Sequence, residues 1–277
     1  GSNIRIRGIS TNGDNRPLIL VDGNVIEDLS VLNPGDIESI NVLKDATAGI
    51  YGVRAANGVI LITTKTGRKN SKLQFTYDAF GGFQETSRRI PVLNATEYAL
   101  ITNEAFAAGG QNNPFPDVSR LGVGTNWQDE VFQAAPIVNQ NLTVTGGTEK
   151  STFSFGASLL TQDGIVGGNK SNFTRYTTRL NFNSDLLENL KLTANVLYTG
   201  SNNKNLAENG IGSVLFNALN NAPTFAVRDQ NGDFTLAEGL GNEVINPLAQ
   251  MENNFNTTRV NRISGKVGLN YTFWDNF

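Results

Sequence analysis

Residues 175–182 read RYTTRLNF, and the side chains change character at every step. In an extended chain Tyr176, Thr178, Leu180 and Phe182 fall on one face and Arg175, Thr177, Arg179 and Asn181 on the other, because successive side chains of a strand point to opposite sides. One face suits an apolar medium, the other water or polar protein. The same two-residue period recurs in both directions along the chain. Leu73, Phe75, Tyr77 and Ala79 alternate with Gln74, Thr76 and Asp78. Phe153, Phe155, Ala157 and Leu159 alternate with Thr152, Ser154 and Ser158. Leu190, Leu192, Ala194, Val196 and Tyr198 alternate with Lys191, Thr193 and Asn195, and Ile263, Val267, Leu269, Tyr271 and Phe273 with Arg262, Ser264, Lys266 and Asn270. With residues 139–145 the pattern predicts six strands.

Length separates two architectures that share this alternation. Strands of a soluble sandwich run about 5–6 residues, whereas these segments reach about ten or more, the length a tilted membrane-crossing strand needs. The connections run long (84–138), very short (146–150), medium (162–172), short (184–189) and long (201–257). Outer-membrane barrels alternate long external loops with short periplasmic turns, so the expected fold is an antiparallel membrane β-barrel. The first long loop carries structure of its own. Asn94 followed by Glu97 reads as a capping box ahead of a helix over 98–108, and a second helical turn is expected at 126–134.

Residues 1 to about 70 have another texture. Ile4 and Ile6 alternate with Arg5 and Arg7 as a strand would, and a turn-rich stretch (10–17) leads into Leu18-Ile19-Leu20-Val21. Asp22-Gly23 reads as a tight turn, Asn33-Pro34 opens a short helical turn, and strands are expected at 37–43 and 59–64 around a small-residue turn at 45–58. Short strands, short helices and many glycines describe a compact α+β unit.

Composition narrows the chemistry. The 277 residues contain no cysteine and no histidine, which removes thiol nucleophiles, disulfides, histidine-based triads and nearly every zinc or haem site. No cofactor is expected. Twenty-two basic residues against 25 acidic ones give a net charge of −3, with nothing to steer the chain to nucleic acid. Only 17% of residues are charged, against about 25% in soluble domains. No apolar run approaches the ~18 residues of a spanning helix. The glycines at 49, 52 and 58 lack the spacing of a phosphate loop and read as tight turns. Asp229, Asn231 and Asp233 imitate the start of a calcium loop, but Phe234 and Leu240 stand where glycine and glutamate are needed; a hairpin turn at Asn231-Gly232 is expected instead. No carboxylate pair is marked for catalysis, so no enzyme is expected.

The stretch IRIRGISTNGDNRPLILVDG (4–23), followed by LNPGDIESINVLKDATAGIYGVRAANGVILITTK (32–65), closely resembles the plug of SusC/RagA-type TonB-dependent outer-membrane transporters. NWQDEVFQAAP (126–136) and NLTVTGGTEKSTFSFGASLLTQDGIV (141–166) are similar to early barrel strands of that family. The resemblance implies a plug domain over 1–70, its N-terminal part missing, and the first part of a transmembrane barrel over 71–277, since barrels that hold a plug use about 22 strands. It implies long extracellular loops at 84–137 and 201–257, location in the bacterial outer membrane, and TonB-dependent import of an oligosaccharide or peptide. The partners implied are TonB, a SusD-like surface lipoprotein lid and outer-membrane lipid. On this reading Arg5, Arg7 and Arg54 pair with barrel-wall carboxylates and hold the plug. Arg175, Arg179, Lys191 and Lys266 face the lumen. Asn12, Asp14, Asn15, Arg16, Phe115, Phe216 and Phe225 face substrate or lid. The rival reading is a surface carbohydrate-binding or adhesin-type β protein without transport, which predicts no lipid-facing aromatic bands.

Overall fold

The run LILV is apolar without a break because it is covered on both sides. In the computed structural model, which describes residues 4–6, 8, 14–44, 46–207, 210–236 and 244–273, it forms β1 (Leu18–Val21). Ile19 and Val21 pack with Val31, Leu32, Ile60 and Ile62 on one face, and Leu18 and Leu20 with Ala48, Ala55 and Val59 on the other. β2 (Asn24–Ile26) returns antiparallel after Asp22-Gly23, where both residues have positive φ (48° and 83°), as a type I′ turn requires. β3 (Ile37–Leu43) and β4 (Val59–Thr64) complete a sheet in the order β2-β1-β4-β3, with β1 and β4 parallel. Complete burial of an aliphatic side chain contributes about 1.5–3 kcal/mol. Val59 at 0% exposure and Ile62 at 2% therefore anchor this small sheet.

Of the strand expected at Ile4 to Arg7, the described residues 4–6 form none. Ile4–Ile6 join no ladder, and Ile4 and Ile6 pack on the Ile19–Ile62 cluster; Arg7 lies outside the described residues. Among the described residues the alternation records two isoleucines anchored in one core rather than a paired strand.

Six strands follow, each hydrogen-bonded to the next in sequence: β5 (Gln74–Gln84), β6 (Ala135–Gly147), β7 (Ser151–Asp163), β8 (Asn172–Leu187), β9 (Leu190–Lys204) and β10 (Thr257–Tyr271). All pairings are antiparallel, and the strands run from 11 to 16 residues. Register gathers the apolar residues on one face: Phe153 opposite Phe182, Phe155 opposite Leu180, Tyr176 opposite Leu159, Tyr198 opposite Ile263. On the other face Arg175, Thr177, Arg179 and Asn181 are all buried while Tyr176, Thr178 and Leu180 between them are exposed. A wall with its polar side covered and its apolar side exposed is the inverse of a soluble sheet.

Tight turns at 148–150 and 188–189 close one end of this wall, and segments 85–134, 164–171 and 205–256 close the other. The first sheet is tied in at the tight-turn end. Asn70 N–H donates to Thr148 O (3.0 Å) and Gly147 N–H to Ser71 O (3.2 Å). A Cβ on Gly67 would lie 2.3 Å from Gly146 O and 2.4 Å from Phe153 O, so only glycine lets this strap lie against the wall.

Candidate functional site

The polar face of the wall is buried because the N-terminal sheet is docked on it, and the contact centres on one carboxylate. Asn33 caps a short 3-10 turn (Pro34–Asp36) with its side chain accepting from Gly35 N–H at 3.1 Å, and this turn aims Asp36 at the wall. Arg179 of β8 donates from Nη2 to Asp36 Oδ1 at 3.2 Å; the two side chains are 2% and 1% exposed. Its Nη1 donates to Lys65 O (2.7 Å) and Ser154 Oγ (3.1 Å). Room for the pair comes from β7, where a Cβ on Gly156 would lie 2.7 Å from Asp36 Oδ1 and 3.2 Å from Arg179 Nη2. Asp36 enters a notch that a glycine leaves in the wall.

Further contacts flank this latch. The Asn181 amide and the Thr64 hydroxyl lie 2.7 Å apart, and Thr64 donates through N–H (2.9 Å) and Oγ1 (2.6 Å) to the carboxylate of Asp22 in the β1–β2 turn. Thr199 Oγ1 donates to Val31 O at 2.8 Å, and Arg175 Nη1 donates to Ser30 O. Ser30 is set by Asp28, whose side chain accepts from Ser30 N–H at 2.9 Å; that backbone hydrogen bond holds the Asp28 carboxyl below its ordinary range. Leu197 is the wall's apolar contribution, packed on the Ile19–Ile62 cluster. Two exposed ion pairs complete the seam, Arg262–Glu27 at 3.6 Å and Lys69–Asp185.

The contact is therefore polar, and incompletely paired. Asn33 Nδ2, both amide atoms of Asn141, Thr143 Oγ1, Thr177 Oγ1 and the Nε atoms of Arg175 and Arg179 are buried without a protein partner. Each such group costs about 1–3 kcal/mol where water does not reach it. A seam of this kind holds less firmly than an apolar interface of the same size.

The sequence-derived site residues distribute as follows. Arg175 and Arg179 face the lumen side, as the alternation predicts, and both grip the N-terminal sheet. Arg5 and Arg54 are exposed, and the buried ion pair runs from a wall arginine to a carboxylate of the N-terminal sheet. Lys191 and Lys266 are exposed. Asp14 pairs with Arg16 at 2.8 Å on the surface, which holds the Asp14 carboxyl well below its ordinary range at about 2, and Asn57 Nδ2 donates to Asp14 O at 2.7 Å. Asn15 is half-buried beside them; Asn12 lies outside the described residues.

Phe115 stacks edge-on to Tyr98 (centroids 6.4 Å apart) while Asn103 clamps its backbone through two hydrogen bonds of 2.7 and 3.0 Å. Asp36 and Gly156 escaped the sequence reading. The available signal was a glycine at a polar-face position within a strand, a mark of close backbone approach.

At the opposite end the two long segments fold on each other. α1 (Ala95–Ala108) begins with the expected capping box: Asn94 accepts from Glu97 N–H at 2.9 Å, and Glu97 accepts from Asn94 N–H at 3.0 Å. α2 (Trp127–Val131), α3 (Val214–Asn220) and α4 (Pro247–Glu252) surround a core of Trp127, Val131, Leu206, Val214 and Ala218, on which Phe225 also packs. Phe216 is half-buried on α3. Trp127 Nε1 donates to Ala222 O (3.0 Å) and Thr125 N–H to Pro223 O (2.9 Å), stitching the first long segment to the second. Beneath this core lies a cavity of about 690 Å³ lined by Gln84, Gln162, Phe173, Asn203, Asn205 and Leu206 among others.

A long-stranded antiparallel wall, apolar outside, with a small α+β unit latched to its polar face defines a plug-filled outer-membrane barrel. Comparison with known proteins agrees. Residues 1–59 match the TonB-dependent Receptor Plug Domain. TonB-dependent receptor P26 of Formosa agariphila is 33% identical over 278 residues, covering 97% of this chain and 27% of the relative. TonB-dependent receptor SusC of Bacteroides thetaiotaomicron is 31% identical over 306 residues, covering 99% of this chain and 29% of the relative. Among solved structures, that of the RagAB peptide importer in the 'open-open' state superposes with a TM-score of 0.77 at 24% identity, covering 94% of this chain and 33% of that one.

The chain carries the plug and the first part of the barrel of a TonB-dependent receptor of the SusC/RagA type, a family of the bacterial outer membrane. It spans between a quarter and a third of the length of the relatives it matches, 27% and 29% for the two receptors above. Those relatives are receptors, not enzymes.

Proposed function

We propose that the protein containing this chain imports an oligosaccharide or peptide across the outer membrane, energised by TonB, beneath a SusD-like surface lipoprotein that closes its outer mouth. It is a transporter rather than an enzyme. The observation that carries this reading is the seam between plug and wall, held among the described residues by one buried ion pair and a few hydrogen bonds between polar groups rather than by an apolar core. A plug that must move aside and return needs such a contact. Ligand enclosed between loops and lid is held there; force applied to the plug then separates Asp36 from Arg179 and Thr64 from Asn181, and opens a path along the polar face of β6 to β9. Residues 1–70 act as the plug, and segments 84–137 and 201–257 lie outside the cell.

Cysteines placed at Gly35 and Asn141 test this directly. A Cβ at Gly35 lies 3.4 Å from Asn141 Cγ, and the chain has no cysteine of its own. In the full-length protein, the oxidised G35C/N141C variant should lose uptake of labelled oligosaccharide or peptide and regain it on reduction, and uptake should vanish in cells lacking TonB. Uptake that continues with the cross-link formed, or without TonB, overturns the proposal.

A further inference from the structure

Above the plug, at the loop end of the wall, three adjacent strands bring unlike side chains into one row. Gln162 of β7 is directly opposite Phe173 of β8, and Phe173 is directly opposite Asn203 of β9. All three lie on the face that carries Arg175 and Arg179, hence on the lumen side. The β6 residue opposite Gln162 is Ile137, and Gln84 of β5, opposite Ala135 one lumen-facing step away, reaches across to the row, its Oε1 accepting from Gln162 Nε2 at 2.8 Å. Strands about 4.8 Å apart make the row about 19 Å long from β5 to β9. Asn205 and Leu206 roof it, and the cavity it borders, about 690 Å³, falls within the range of about 300–1,000 Å³ usual for ligand sites.

The chemistry of the lining selects an occupant. Amide, phenyl and amide in sequence offer a flat apolar platform with a donor and an acceptor on either side, which matches the C–H face and the flanking hydroxyls of a sugar ring. The charged side chains lining the cavity are Glu85 and Asp163, and no lysine or arginine lines it among the described residues. Asp163 Oδ1 already accepts from Asn172 Nδ2 at 2.6 Å. A ligand bearing carboxylates or sulfates, including a peptide with a free C-terminus, would meet carboxylates here and no cation to pair with.

We infer that the row Gln84–Gln162–Phe173–Asn203 is a lumenal subsite for a neutral oligosaccharide. The inference rests on the transport reading above and names its substrate class.

Full-length protein purified in detergent, titrated calorimetrically with neutral oligosaccharides from starch, β-glucan, mannan and xylan, with oligogalacturonates and with a casein peptide digest, tests it. At least one neutral series should bind. Gln162→Ala, Phe173→Ala and Asn203→Ala should each weaken that binding about fivefold to tenfold, as loss of a single hydrogen bond or stacking partner does, while Thr161→Ala on the lipid side leaves it unchanged. Asn203→Lys should gain affinity for oligogalacturonate, a change that a misfolded variant cannot produce.

Binding confined to the peptide digest or to oligogalacturonate overturns the inference, as does failure of every neutral series, or neutral binding that ignores all three alanine variants. Uptake in cells with and without TonB reads the transport proposal separately. TonB-independent uptake with intact neutral binding sinks that proposal and spares the subsite, and TonB-dependent uptake of peptides alone does the reverse.

Discussion

Asp36 and Arg179 stand 143 positions apart in sequence and meet with both side chains almost wholly buried. Removing one partner of such a pair leaves a buried charge uncompensated, which costs about 3–5 kcal/mol, whereas replacing both with apolar residues of similar size costs far less. Asp36→Ala in the full-length protein should therefore loosen the docked plug by about that amount, read as faster hydrogen exchange of β1 and β4 with the barrel strands unchanged. The Asp36→Leu/Arg179→Met double variant should recover most of the loss, and equal exchange in single and double variants would show that the pair does not hold the plug. Half of this pair was legible in sequence. The period-two pattern of RYTTRLNF sets Arg179 on the inner face, because alternation is a local property of the backbone. Asp36 carried no mark, since a partner across the wall leaves no trace among its neighbours in the chain.

At the level of elements, what was readable divides along the same line. The wall strands followed from alternation and length, and the α1 capping box from two residues three apart. The loop core did not, because Trp127, Leu206 and Val214 come together from well-separated positions and their helices are too short to announce themselves by periodicity. Two predictions belong here. Leu192, which the alternation puts on the apolar face, lies near the β8–β9 turn, so the lipid-face test falls better on Leu180, in the middle of β8. Leu180→Arg should cost about 2–4 kcal/mol at the bilayer midplane, measured as unfolding in liposomes, and Ser158→Arg on the lumen side much less; equal costs would mean the wall does not face lipid. Trp127→Ala should remove about 3–5 kcal/mol of packing from a core that both long segments share. Limited proteolysis should then cut 85–134 and 205–256 together while the strands stay protected, and cleavage of the first segment alone would show that the two fold independently.

The whole molecule has two unlike ends, and their difference predicts which way it sits in the membrane. The plug strap, Lys65 to Lys72, lies against the tight turn at 148–150, so the plug joins the wall at the end where the turns are short. Barrels place short turns on the periplasmic side, and the import proposed above requires the plug to be reached from that side. The strand β5 then runs outward, and after four antiparallel reversals β9 runs outward as well. Both strands lead into long segments, which puts the loop core and the cavity beneath it at the outer mouth. Val214, Ala218 and Ala222, each no more than 4% exposed, show that residues 212–222 are built into this core. Deleting 212–222 should therefore dismantle the outer mouth and abolish uptake, yet leave the barrel inserted and heat-modifiable on gels, because no wall strand loses a hydrogen bond. Protease added to intact cells should cut the deleted variant within 85–134 and 205–256 and leave the turns at 148–150 and 188–189 untouched. Cleavage at those two turns from outside the cell would reverse the orientation, and unchanged uptake after the deletion would separate the loop core from transport altogether.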